Sequence, residues 1–74
     1  MMNERVRFNL TEKQREIFDH MVKIQEQTGI TPTQKELAAK FGIAQATVAK
    51  HLAAIERRGW IQRAAGLKNG LTIL

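Results

Sequence analysis

The chain has 74 residues, 43% of them apolar and 26% charged, with one proline and no cysteine. This is enough for one small domain spanning 1–74. It excludes a disulfide framework and a thiolate metal site, a disordered low-complexity chain and, with no apolar run near the ~20 residues of a membrane span, a transmembrane helix. The N-terminal stretch MMNERVRFNL lacks the apolar core of a signal peptide. Twelve lysines and arginines oppose seven acids, a net charge of +5 with a pI near 10.3. That excess is one-sided. Residues 1–32 balance, whereas residues 33–74 carry Lys35, Lys40, Lys50, Arg57, Arg58, Arg63 and Lys68 against only Glu36 and Glu56. A surface of this kind attracts polyanions, either nucleic acid or an anionic membrane.

Thr11 followed by Gln14 has the capping-box pattern and starts a first helix. Ile17, Phe18, Met21, Val22 and Ile24 keep a helical spacing behind it, and Gly29 is its natural C-terminal residue. Pro32 biases Thr31 to an extended conformation. Thr33 with Glu36 is a second capping box. Leu37, Ala38 and Phe41 give the second helix an apolar side, and Gly42 stops it. A third helix runs from Ala44 or Gln45 to Arg58. Its Leu52 and Ile55 fall within roughly 40° of Val48 at about 100° per residue, which makes an apolar stripe.

After Gly59 the period changes. Trp60–Arg63 and Leu71–Leu74 read as strands, joined by AAGLKNG with its Asn69-Gly70 turn dipeptide. The expected fold is mostly α with a small β-hairpin: three helices plus a two-stranded wing. Phe8 and Leu10 either cover the core or add a short edge strand.

The second and third helices carry the motif. In QKELAAKFGIAQATVAKHL, Ala38 lies four residues before Gly42, and Val48 lies six after it. A small residue lets two crossing helices approach. A glycine allows the tight turn. A β-branched residue fills the angle between the helices. This is the helix-turn-helix pattern, whose second helix enters the major groove.

The third helix has an unusual outer face. Ala46, Lys50, Ala53 and Arg57 lie opposite Val48, with Thr47 and Ala49 on the flanks. A helix without bulky side chains approaches base edges closely in a groove ~12 Å wide. Alanine and threonine methyls suit thymine methyls, Gln45 suits adenine, and Lys50 suits guanine O6 and N7. Thr33, Gln34 and Lys35 open the second helix, where main-chain N–H groups and the dipole favour phosphate; Arg57 is a further phosphate contact. Arg63, Lys68 and Asn69 sit on the hairpin, where a wing meets backbone. Trp60 reads as core or core edge, His51 as a packing residue beside Leu52, and His20 as a surface histidine.

The resemblance to a known family follows from these residues. Leu10-Thr11 with Gln14, Glu16 and Ile17, then Gly29-Ile30-Thr31-Pro32-Thr33, Glu36-Leu37-Ala38, His51-Leu52, Gly59, Ile61 and Ile73-Leu74 are similar to the N-terminal winged-helix domain of LexA-type repressors, from Leu10 to the last residue. The resemblance implies a winged helix-turn-helix that binds an operator half-site through its third helix while the wing touches the backbone. It also implies dimers that occupy two half-sites. The turn from Gly42 to His51-Leu52 is one residue shorter than is usual in that family, so base contacts do not transfer position by position. In the family a linker and a self-cleaving, dimerising serine/lysine domain follow. The expectation is a small free-standing regulator or a fragment of a longer one.

The chain has no nucleophile–base arrangement, no glycine-rich phosphate loop and no His/carboxylate cluster with metal spacing. No enzyme activity, metal, cofactor, small-molecule ligand or membrane partner is expected. The expected function is sequence-specific double-stranded DNA binding by a transcriptional repressor, with a homodimer on a palindromic site. Ile61, Leu71, Ile73, Val6 and Phe8 are the candidate dimer edge. The expected setting is cytoplasmic and nucleoid-associated, as for a bacterial or phage-type regulator. The competing reading is a winged-helix protein–protein interaction module with little DNA affinity, and a third is an architectural or RNA-binding role.

Overall fold

The structure, a computed structural model, describes residues 8–63 and 71–74. Three helices are followed by two strands: α1 Glu12–Thr28, α2 Gln34–Phe41, α3 Gln45–Arg57, β1 Ile61–Arg63 and β2 Leu71–Ile73.

The first two helices begin and end where local chemistry dictates. At α1 the Gln14 N–H donates to Thr11 Oγ1 (3.2 Å) and the Thr11 N–H donates to Gln14 Oε1 (3.0 Å). This reciprocal box also explains why Gln14 is tolerated as a buried polar side chain: its carbonyl oxygen has a main-chain partner. The box repeats at α2, with the Glu36 N–H on Thr33 Oγ1 (3.1 Å) and the Thr33 N–H on Glu36 Oε1 (2.8 Å). Gly42 ends α2 in the left-handed region at φ 67°. Both its N–H and that of Ile43 fold back on the Ala38 carbonyl.

A Cβ on Gly42 would meet no atom within 4 Å, so Gly42→Ala tests backbone strain alone. The expected loss is about 1 kcal/mol, read as a lower urea midpoint at constant m. Gly42→Asn should lose less, because asparagine tolerates this region. Equal stability of all three proteins would contradict the turn geometry.

The core lies where the three helices meet the hairpin. Ile17, Phe18 and Met21 come from α1, Leu37 from α2, Val48, Leu52 and Ile55 from α3, and Ile61 from β1. Leu10, Val22, Ala38, Phe41, Ile43, Trp60, Leu71 and Ile73 pack partly against them. Ile24 is half-buried outside this cluster. The strands are antiparallel, with Ile61 opposite Ile73, Gln62 opposite Thr72 and Arg63 opposite Leu71. The Leu74 N–H extends the ladder onto the Trp60 carbonyl at 3.0 Å. The Asn69-Gly70 turn lies outside the described residues.

Two expectations need correction. Ile61 is 1% exposed and belongs to the core, so it offers no dimer edge. Phe8 neither covers the core nor forms a strand: its side chain is 59% exposed, and its backbone is what docks. The Phe8 N–H donates to the Arg58 carbonyl (3.0 Å), and the Phe8 carbonyl accepts from Trp60 Nε1 (2.7 Å). Arg58 Nη1 donates to the Asn9 carbonyl (2.7 Å). Val6 lies outside the described residues.

Candidate nucleic-acid interface

The connection between α2 and α3 is only Gly42, Ile43 and Ala44. The left-handed glycine reverses the chain, half-buried Ile43 pins it to the core, and Ala44 caps α3 with extended backbone. Buried Val48 and Leu37 hold the two helices together. The side of α3 that carries Val48, Leu52 and Ile55 is thereby fixed inward, and the opposite side is fixed outward.

On that outward side and its flanks Ala46, Thr47, Lys50 and Arg57 are exposed, while Ala49 and Ala53 are half-buried; Gln45, the first residue of α3, is exposed as well. Directly opposite Val48 the open residues are therefore Ala46, Lys50 and Arg57, with half-buried Ala53 in the turn between the last two. Ala44 provides no side-chain cap, and the first turn of α3 has no acidic residue. The positive end of the helix dipole is left uncompensated.

Thr33 and Gln34 are half-buried at the start of α2, and Lys35 is exposed. The capping box consumes the N–H groups of Thr33 and Glu36; those of Gln34 and Lys35 are not part of it. Thr33 therefore fixes the helix end that Gln34 and Lys35 present. The box also places the Glu36 carboxylate there, which offsets part of the attraction for a phosphate.

The basic residues of the C-terminal half separate into two groups. Arg58 is committed to Asn9, on the side of the N-terminal segment. Arg63 is exposed at the base of the wing but is ion-paired with Glu56 at 3.3 Å. Lys35, Lys40, Lys50 and Arg57 are outside any ion pair among the described residues, where the pairs are Lys13–Glu16 and Arg63–Glu56. Lys68 and Asn69 lie outside the described residues.

Three other side chains are placed away from this face. Trp60 stands edge-on to Phe18, with ring centroids 5.2 Å apart, and Arg15 lies 4.9 Å over its ring; its core-edge position is as expected. His51 is half-buried beside Leu52. His20 is less of a surface residue than its position on α1 indicates. It packs edge-on against Phe41 at 5.7 Å, and its pKa lies below the ordinary histidine value, through burial first and then through Lys40 and Lys23. Among the described residues no helix is long and apolar enough to cross a membrane.

Three helices, a three-residue turn between the second and third, an uncovered outer face on the third and an antiparallel hairpin beside it define a winged helix-turn-helix. The chain belongs to the LexA DNA binding domain family, whose model matches residues 7–68. It is 41% identical over 66 residues to LexA repressors of Paraburkholderia phytofirmans and Paraburkholderia xenovorans, and 38% identical to that of Burkholderia cenocepacia. In each comparison 88% of this chain is covered, and it spans 31% of the relative's length.

Proposed function

We propose that this domain reads an operator half-site for a transcriptional repressor. The observation that carries the reading is the outward face of α3. It is small and basic at Ala46, Lys50 and Arg57, and the fold points it away from the core. In this reading Gln45, Ala46, Thr47, Ala49 and Lys50 meet base edges, with Lys50 on guanine. Thr33, Gln34, Lys35, Arg57 and the wing residues Arg63, Lys68 and Asn69 hold the backbone. Phosphate contacts position the protein and base contacts specify the sequence.

A single domain binds one half-site weakly. Strong binding to a palindrome then requires a homodimer, in solution or on the DNA. Such a regulator works on the cytoplasmic nucleoid, with no catalytic step of its own.

Selection of bound duplexes from a randomised library tests this reading, followed by fluorescence anisotropy on the winning sequence and on a scrambled one. The expected outcome is an enriched half-site. Lys50→Ala should weaken the selected sequence by about 1–3 kcal/mol and the scrambled one much less. Binding without enrichment would favour an architectural role, and absence of binding at low salt would favour a protein-docking module.

A further inference from the structure

We propose that Glu56 is a specificity-determining residue of this surface: it holds the Arg63 guanidinium in the free protein and so withholds that cation from the phosphates of arbitrary duplex. The proposal rests on the DNA-binding reading above. Both oxygens of Glu56 are used on one residue. Oε1 accepts from Arg63 Nε and Oε2 accepts from the Arg63 main-chain N–H, each at 3.3 Å. The bonds cross from the last turn of α3 to the end of β1, so the carboxylate ties the recognition helix to the base of the wing. Of the two acids in the basic half, Glu36 serves a helix cap, and among the described residues Glu56 is the one paired with a candidate phosphate contact.

The side chains of Arg63 and Glu56 are 37% and 34% exposed, so the pair is weak and open to exchange. A phosphate with two oxygens is an equal or better partner for an arginine. Exchange needs a phosphate placed within hydrogen-bond reach of Arg63 in the bound geometry. Base contacts by α3 provide this on the cognate site, because they seat the wing on the backbone. On arbitrary sequence no base contact fixes that seating, the protein samples many registers, and Arg63 stays with Glu56 in most of them. Non-specific affinity is almost wholly the phosphate contribution, so one cation withheld there widens the ratio of specific to non-specific binding.

The test is an anisotropy titration of mixed-sequence duplex across a salt series, with the full chain as wild type, E56Q, R63Q and the double variant. Glutamine keeps an acceptor for the Arg63 main-chain N–H and removes the charge. E56Q is expected to bind about five- to tenfold tighter near ~0.1 M salt, with a log–log salt slope steeper by about 0.9, the value of one added phosphate contact. In the R63Q background the same change should have little effect. Equal gains in both backgrounds would overturn the proposal, because Glu56 would then act by simple repulsion of DNA. No gain in either would overturn it as well. Failure of all four proteins to bind any duplex would overturn the DNA reading itself, whereas wild-type binding with equal gains overturns only the role of Glu56.

Discussion

Ala46→Glu is expected to abolish duplex binding while leaving the fold as stable as before or slightly more so. Ala46 is the second residue of α3 and is exposed. A carboxylate in the first helical turn faces the positive end of the dipole, which is worth about 0.3–1 kcal/mol of stabilisation. The first turn of α3 has neither an acid nor a side-chain cap, so that benefit is unclaimed. On DNA the same carboxylate would enter the major groove at the base edges, between two phosphate backbones. Like charges brought together at an interface cost several kcal/mol, which is about a hundredfold or more in affinity. The two measurements are a thermal unfolding curve and an anisotropy titration. A variant that is stable and still binds would show that DNA does not approach this face.

Leu37→Ala is the largest expected loss of stability that leaves the surface unchanged. Leu37 is fully buried and is the one buried residue of α2. Without it the helix keeps only the half-buried Gln34, Ala38 and Phe41 on its inner side. Truncation of a fully buried leucine costs about 2–5 kcal/mol. A domain of 74 residues, at about 0.05–0.15 kcal/mol per residue, has only roughly 4–11 kcal/mol in total. The urea midpoint should fall by a large fraction of its value, and DNA binding should be lost at temperatures where the parent is still folded. A loss below about 1 kcal/mol would mean that α2 is held by something other than this side chain.

Much of this architecture is legible in the sequence because its signals are local. The two capping boxes need only residues three apart, and both form. Gly29 and Gly42 stand in the left-handed region that ends α1 and α2. The stripe Val48, Leu52, Ile55 is a matter of period, and all three are buried. The outward face of α3 follows from the same period.

What the sequence conceals is pairing across distance. Phe8, Asn9, Arg58 and Trp60 are about fifty positions apart and join the N-terminal segment to the end of α3. Nothing in the spacing of Arg58 separates it from Arg57, yet one is spent on a carbonyl and the other is exposed. Ile61 reads as a strand residue with either face open, and only the packing of the hairpin on α3 decides that it points inward. The Glu56–Arg63 pair is hidden for a similar reason. Seven positions and a change from helix to strand separate the partners, so no periodicity brings them together. Half-burial of Ala49 and Ala53 also escapes a helical wheel, which does not know how much of a flank the neighbouring elements cover.

The most direct test of the central claim is an ¹H–¹⁵N NMR titration of the chain with a short duplex at low salt. The amides of Gln45 to Lys50, those of Gln34 and Lys35 and that of Arg57 are expected to shift together, while those around His20 and Trp60 stay in place. Shifts confined to the His20–Phe41 side of α1 and α2, with α3 unmoved, would contradict it.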